Sequence, residues 1–183
     1  YDRIHTAIKD DSINAIFQRY CSGEVIPTLD PLAAVHYPDY VQELVSRFGN
    51  PMINDSTARI ISGSTDKIPK FVLPVISDQL KRPAPQIQFG VLILAAWYYY
   101  LETAFRKNQM ETVQDQNREL LLTLFKESAG DAGAFINRLP MLHALQQEPM
   151  VHRLFLNYIQ VLRNEGMRFL MDQLLQKGAC DEQ

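Results

Sequence analysis

Apolar residues recur at helical spacing along most of the chain. The most apolar stretch, about 86–106, includes the run VLILAAW and leaves no polar face, which predicts a central helix covered on most sides. A second stretch, about Val151 to Lys177, repeats its apolar residues three and four apart and predicts one helix that continues through Gly166. No segment alternates apolar and polar residues between hairpin turns, as strands do. The pattern predicts a single all-α domain of about eight to ten helices around the central one.

Boundary residues predict shorter helices in the first part of the chain. Asp10 and Asp11 are typical caps for a helix that runs to about Ser22. Pro38 suits the first turn of the next helix, which is expected to end at a left-handed Gly49. The side chains expected on the buried face of that helix are Tyr40, Val41, Leu44, Val45 and Phe48.

Turn residues then cluster in the run ARIISGSTDKIPKFVLPVI. A short helix is expected to begin after Asp55 or Ser56 and to end at Gly63. A new helix is expected directly afterwards, with Pro69 in its first turn. Because proline cannot continue the hydrogen-bond ladder, Pro74 predicts a kink or a fresh start.

Two cations in this run form the candidate ligand site. Arg59 and Lys67 lie eight positions apart, on either side of a hydroxyl-rich loop. An arginine offers a rigid fork of donors and a lysine offers a mobile ammonium, a pair suited to carboxylates, phosphates or sugar hydroxyls. Three hydroxyl side chains of the loop can add contacts: Ser62, Ser64 and Thr65. The alternative is a surface pair between Arg59 and Asp55, four residues earlier, with Lys67 and Lys70 simply solvated.

Composition narrows the function classes. A net charge of -3 and a pI near 5.8 argue against a general nucleic-acid binder, which would carry a basic stripe. The apolar run Phe89–Leu101 is shorter than the roughly 20 residues that span a bilayer, so no membrane association is expected. Cys21 and Cys180 lie far apart, which fits free thiols in a reducing compartment, and a cytoplasmic location is expected.

Several kinds of catalytic chemistry have no matching motif. No glycine-rich loop follows a predicted strand, and there is no HExxH or CxxC, so neither a dinucleotide site nor a metal site is expected on this chain. The four histidines, His5, His36, His143 and His152, are scattered and are interpreted as surface or structural residues.

A family resemblance is carried by four segments in a fixed order: EVIPTLDPL from Glu24, RFGNPMINDSTARI from Arg47, KIPKFVLP from Lys67 and LAAWYYYL from Leu94. Together they resemble the C-terminal domain of the polyol-specific long-chain dehydrogenases, the mannitol dehydrogenase family. The nearest branches are mannitol 2-dehydrogenase, arabinitol dehydrogenase and fructuronate reductase. The fold that this resemblance implies is the helical C-terminal domain of the 6-phosphogluconate dehydrogenase type.

The resemblance also implies a division of labour. Residues 1–183 would be the substrate-binding domain for a polyol or sugar acid, and an N-terminal Rossmann-type domain, absent from this chain, would bind NAD or NADP. Hydride transfer in the family needs no metal, and its catalytic lysine, asparagine and histidine form a K-x4-N-x2-H motif expected before Tyr1. The chain alone would then hold no catalytic or cofactor-binding residue and would be inactive. Arg59 and Lys67 match the family's substrate-contacting arginine and lysine.

Two questions stay open from the sequence. The loop ISGSTD departs from the Ser/Asp-Gly-Ser-Ser pattern expected in the family, which leaves the substrate branch undecided. The alternative to an oxidoreductase domain is a non-catalytic helical module, such as the ligand-binding or dimerisation part of a regulator. Because the chain begins at Tyr1 within an expected helix, it is interpreted as a piece of a longer protein.

Overall fold

The computed structural model describes residues 1–180, without the side chains of Ala144 and residues 177–180. The α-helices are α1 Ile4–Ala7, α2 Asp11–Arg19, α3 Tyr37–Gly49, α4 Thr57–Ile61, α5 Ser64–Phe71, α6 Leu73–Leu80, α7 Gln88–Arg106, α8 Arg118–Ser128, α9 Ala132–Arg138, α10 Pro149–Asn164 and α11 Gly166–Cys180. A π-helical segment spans Tyr20–Val25, and 3₁₀ segments span Ile26–Thr28, Met110–Thr112 and Pro140–Leu145.

The all-α prediction is confirmed. Within the described residues, extended pairing is limited to an isolated antiparallel bridge between Arg3 and Ser56. Nine of the described α-helices are seven residues or longer, which lies within the expected range. None of the helices described has both the length and the apolar character needed to cross a membrane.

The helices fall into two compact units. The first contains residues 1–61 and the end of the chain from Met171, and the second contains Ser62–Leu170. Each unit has its own buried side chains.

Helix α2 in the first unit begins as predicted. Oδ1 of Asp10 accepts the backbone N–H groups of Ser12 and Ile13 at 3.1 and 3.2 Å, which caps the helix. The α-helix ends at Arg19 rather than Ser22, because the chain continues in the wider π-helical turn. This turn carries Cys21, which is buried with a free thiol, while the thiol of Cys180 lies outside the described side chains.

Helix α3 buries a narrower face than predicted. Val41 is buried, and Ile8 at the end of α1 is buried in the same unit, where α1 packs against α3. Tyr40 was predicted to point inward but is 50% exposed, because adjacent helical residues point about 100° apart and cannot share one narrow face. Helix α3 ends at Gly49 as predicted, but the left-handed conformation expected there was wrong. The next residue, Asn50, is extended, and its N–H donates to the carbonyl of Arg47.

The part of α11 from Met171 onward is held in the first unit by polar contacts with α2. Oγ of Ser12 donates to Oδ1 of Asp172 at 3.2 Å, and a guanidinium nitrogen of Arg19 donates to the carbonyl of Leu175 at 2.8 Å. Both accepting residues belong to α11. These contacts explain why residues so far apart in the chain form one unit.

Helix α7 is the centre of the second unit, as predicted. It begins at Gln88, two residues inside the expected start, and its buried positions lie on all sides of the helix. Helix α10 packs along it, and the rings of Tyr98, Phe125, Phe135 and Phe155 meet over its middle with centroid separations such as 4.4 Å between Phe125 and Phe135. Such aromatic pairs add to the free energy of area burial.

The predicted single helix over Val151–Lys177 is wrong. Helix α10 ends at Asn164, and α11 begins at Gly166, whose φ of 85° lies in the left-handed region. The apolar spacing continues across this break, so periodicity alone could not reveal it. Glycine adopts a positive φ without the clash that a Cβ would cause, and a glycine at this point ends the first helix.

Prolines shape the pair α5 and α6. Pro69 was predicted in the first turn of its helix, but α5 begins at Ser64 and Pro69 lies inside it. Its ring nitrogen has no hydrogen to donate to the carbonyl of Thr65, so α5 lacks one internal hydrogen bond. Pro74 lies in the first turn of α6, which confirms the predicted fresh start.

Candidate functional site

Arg59 is presented on α4 in the first unit. Oγ of Ser56 accepts the backbone N–H of Arg59 at 3.1 Å, so the predicted cap of this short helix is confirmed. The guanidinium lies 68% exposed, and its partner Asp55, at 18%, is far more enclosed. The position of Arg59 is therefore set by its own helix start.

The guanidinium of Arg59 is held in a two-point ion pair. Its Nε donates to Oδ1 of Asp55 at 2.5 Å, and Nη2 donates to Oδ2 of the same carboxylate. The hydrogen bond and then the charge of Asp55 raise the pKa of Arg59, so the group stays cationic. The surface pair considered as an alternative does form. A bidentate pair also fixes the plane of the guanidinium, which a single lysine contact would not do.

The second unit begins with a left-handed turn. Gly63 has φ 62° and ψ 34°, and it is the residue that precedes α5. Its N–H donates to the carbonyl of Gln114 at 2.8 Å. The predicted stop at Gly63 is confirmed, and the turn is tied to a segment about 50 residues further along the chain.

Asp115 closes the start of α5. Its Oδ2 accepts the backbone N–H of Thr65 at 2.9 Å, and its Oδ1 accepts the hydroxyl of Thr65 at 2.5 Å. Oδ1 also accepts the backbone N–H of Asn117 at 2.9 Å, while Nδ2 of Asn117 donates to Oγ1 of Thr65 at 2.9 Å. The hydroxyl of Thr65, expected as a possible ligand contact, is instead used within the fold.

Lys67 lies two residues beyond Thr65 in the same turn. It is half-buried, and its backbone N–H donates to the carbonyl of Gly63 at 3.2 Å. Its neighbour Lys70 behaves differently, since it is exposed and its Nζ donates to Asp66 at 2.7 Å in an ordinary pair one helical turn apart. Lys67 is therefore the more enclosed of the two lysines on α5.

The predicted site residues are divided between the two units. Arg59 belongs to the first unit and Lys67 to the second. Sequence reasoning missed the role of Asp115. No local signal could have linked it to Thr65, because the two lie 50 positions apart.

The described histidine, cysteine and acidic side chains are the possible ligands for a metal ion. In the part of the chain that the structure describes, no three His, Cys, Asp or Glu side chains come together in an arrangement able to hold a metal ion. An open groove near charged groups has a volume of about 270 Å³ and is lined by residues that include Phe105, Arg118 and Lys126.

The comparison with solved structures finds the same helical fold in parts of two larger proteins. It superposes on Pseudomonas fluorescens mannitol 2-dehydrogenase with a TM-score of 0.84 and 24% sequence identity, covering 97% of this chain and 36% of that chain. A D-sorbitol dehydrogenase in substrate-free form gives a TM-score of 0.72 at 20% identity, covering 93% of this chain and 35% of that chain. These likenesses show a shared helical fold.

The family follows from the sequence comparison. The family model described as the mannitol dehydrogenase C-terminal domain matches residues 1–161, and the chain belongs to this family. The match extends well past the four quoted segments and includes the turn that carries Asp115. The predicted resemblance is confirmed, whereas the interpretation as a module of a regulator has no support among these findings.

Individual relatives agree with this assignment. The chain is 36% identical over 101 residues to "Mannitol dehydrogenase DSF1" of Saccharomyces cerevisiae, which covers 55% of this chain and 20% of the relative. It is 32% identical over 125 residues to "Mannitol 2-dehydrogenase" of Phaeosphaeria nodorum, which covers 68% of this chain and 22% of the relative. The chain thus aligns with about a fifth of the length of these curated relatives.

Proposed function

We propose that this chain is the substrate-binding domain of an NAD(P)-dependent oxidoreductase that interconverts a mannitol-like polyol and a ketose, or a related sugar acid. The observation that carries this proposal is the family match over residues 1–161. The likeness to the Pseudomonas fluorescens enzyme supports it, because that mannitol 2-dehydrogenase was solved as a ternary complex with NAD and D-mannitol.

Arg59 and Lys67 are the proposed substrate contacts. Polyols and open-chain ketoses are uncharged and flexible, so an enzyme must hold them through several hydrogen bonds to hydroxyl groups. Donors that are already oriented bind such ligands at a lower entropic cost than mobile ones. Arg59 meets this requirement through its two-point pair with Asp55, and Lys67 lies half-buried on α5.

The remaining chemistry is assigned to other parts of the enzyme. Among residues 1–180 no strand precedes a glycine-rich turn and a helix, so these residues do not fit the binding of a dinucleotide in the Rossmann manner. We assign NAD or NADP to an N-terminal Rossmann-type domain, and the proton-transferring lysine, with its asparagine and histidine, to sequence preceding Tyr1. On this assignment residues 1–183 act with that domain, in the cytoplasm, and are inactive alone.

The decisive experiment replaces each cation in the longer enzyme that contains this chain. Lys67→Ala and Arg59→Ala should each raise the KM for the polyol about tenfold or more, because each removes a charged hydrogen-bond donor. The KM for the dinucleotide should stay within about twofold, since neither residue is assigned to that ligand. Steady-state kinetics with mannitol, arabinitol, sorbitol and fructuronate would identify the substrate branch at the same time.

Lys70→Ala is the matched control for Lys67→Ala. Lys70 lies on the same helix three positions away, but it is exposed and paired with Asp66. Its replacement should leave the KM for the polyol unchanged, because exposed pairs contribute little. If Lys67→Ala and Lys70→Ala gave the same kinetics as the unmodified enzyme, the substrate-binding role of Lys67 would be wrong. The absence of both polyol oxidation and fructuronate reduction, with either dinucleotide, would refute the proposed activity itself.

A further inference from the structure

We propose that Asp115 is a positioning residue for Lys67. Its carboxylate fixes the first turn of α5, and α5 in turn presents the lysine. This inference rests on the proposed function, in which Lys67 contacts the substrate. It adds a residue that the motif segments do not contain, since Asp115 lies outside all four of them.

Helix α5 needs help at its start. The residue before it, Gly63, has no side chain that could accept from the first free N–H groups. The helix has only eight residues, and Pro69 removes one internal hydrogen bond. A helix this short is marginal by itself in water, so its geometry depends on contacts from elsewhere in the fold.

Asp115 supplies those contacts from a different part of the chain. It accepts both the backbone N–H and the hydroxyl of Thr65, and Thr65 is only 7% exposed. Asn117 closes the arrangement by donating its side-chain amide to the same hydroxyl. Thr65 therefore donates once and accepts once through Oγ1, and rotation of its side chain would break both bonds.

The negative charge of Asp115 also stabilises the start of α5, as these hydrogen bonds do. A carboxylate at a helix N-terminus is favoured by the partial positive charge of the exposed N–H groups there. Gln114, the residue before Asp115, provides a further contact, because its carbonyl accepts the N–H of Gly63. Two neighbouring residues thus hold the beginning of α5 through three separate hydrogen bonds.

The position of Lys67 depends on this turn. Its backbone N–H bonds to the carbonyl of Gly63, and it follows Thr65 by two residues, so the direction of its side chain is set by the turn that Asp115 fixes. A hydrogen bond weakens steeply when its donor is displaced on the order of 1 Å, so a shift of Lys67 should weaken binding of the polyol. The carboxylate of Asp115 acts through the backbone of α5 and makes no contact with substrate.

The test uses Asp115→Asn and Thr65→Val in the longer enzyme that contains this chain. Each variant removes part of the arrangement while keeping the side-chain size nearly constant. Each should raise the KM for the polyol about tenfold, with the KM for the dinucleotide within about twofold. Thr65→Ser keeps the hydroxyl and should restore the KM to within about twofold of the unmodified enzyme.

Asp131→Ala separates positioning from general stability. Asp131 caps α9 in the same unit by accepting two backbone N–H groups, on a helix without a proposed contact residue. Alanine cannot accept either N–H, so this variant should lower the Tm but leave the KM for the polyol unchanged. Should Asp115→Asn fail to fold, Thr65→Val carries the same kinetic prediction with both carboxylates intact.

A double variant distinguishes this inference from the proposed function beneath it. If Asp115 acts through Lys67, then Lys67→Ala/Asp115→Asn should have the same KM as Lys67→Ala alone. Fully additive effects would overturn the positioning role. A raised KM in Lys67→Ala with an unchanged KM in Asp115→Asn and Thr65→Val would overturn it as well, while leaving Lys67 as a contact. An unchanged KM in Lys67→Ala would instead overturn the proposed contact.

Discussion

Arg163 on α10 holds the carboxylate of Glu102 on α7. Its Nη2 donates to Oε1 at 2.5 Å and its Nε donates to Oε2 at 3.1 Å. Glu102 is only 2% exposed, whereas Arg163 is 30% exposed. The same Nη2 also donates to the carbonyl of Gly130 at 2.9 Å. One guanidinium therefore joins the central helix, its main partner helix and the turn before α9.

Removing Arg163 should destabilise the protein because a buried carboxylate loses its strongest partner. Arg163→Met is expected to lower the free energy of unfolding by about 2 kcal/mol, less than for a fully enclosed pair because Arg163 is partly solvated. The double variant Glu102→Leu/Arg163→Met should recover most of this loss, since it leaves no buried charge without a partner. Urea denaturation of the single and double variants gives the coupling directly.

Arg106→Ala is the control for this pair. Arg106 also donates to Oε1 of Glu102, at 3.0 Å, but its side chain is 60% exposed. Its loss should change the free energy of unfolding by less than about 1 kcal/mol. Equal effects of Arg106→Ala and Arg163→Met would contradict the leading role given to Arg163.

Ionisation of Tyr98 is expected to lower the stability of the folded state at alkaline pH. Burial, and then the charge of Glu102, raise the pKa of Tyr98 from its ordinary 10.0 to about 12, while Arg163 lowers it. The folded state therefore keeps this proton at pH values where the unfolded chain has lost it. The resulting stability is fully present below pH 10 and is lost as the pH rises through about 12.

Tyr98→Phe should flatten this alkaline loss. The variant has no phenol to ionise at this position, so its Tm should fall less between pH 10 and 12 than the Tm of the unmodified protein. Tyr20→Phe is a useful companion, because burial also raises the pKa of Tyr20. Parallel Tm profiles for the unmodified protein and Tyr98→Phe would refute this source of pH dependence.

Gly166 and Ala129 form a matched pair of left-handed positions. Gly166 has φ 85° with no atom within 4 Å of an added Cβ, so Gly166→Ala should cost about 1 kcal/mol through backbone strain alone. Ala129 has φ 48° at the end of α8, and Ala129→Gly should stabilise by about 1 kcal/mol for the same reason. Thermal denaturation of both variants measures the two changes. Two shifts in the same direction would contradict this explanation.

Features of the fold that depend on residues close in sequence, such as the burial of α7 and the capping of α2, were predicted correctly. The apolar character of α7 on every side predicted its central place, and Asp10 was recognised as a helix cap because capping acts within three residues. The break at Gly166 was missed because the apolar spacing is the same on both sides of it. A glycine within a periodic segment is compatible with either outcome.

In the candidate site, too, contacts between residues close in sequence were predicted and contacts between distant residues were not. The pair of Arg59 with Asp55 was foreseen, since residues four apart on a helix are neighbours. The role of Thr65 was not, because its partner Asp115 comes from a turn 50 positions away. Residues that bind are visible in a sequence through their chemistry, whereas residues that position them become visible only when the fold brings them together.

The dependence of α5 on Asp115 also sets an order of events during synthesis on the ribosome. When the KIPKF segment leaves the exit tunnel, the carboxylate that completes its first turn has not yet been translated. At rates on the order of 10 residues per second, Asp115 is synthesised several seconds after α5. The second unit therefore cannot mature from its N-terminal end onward, and a nascent chain halted before Asp115 would present an unfinished α5.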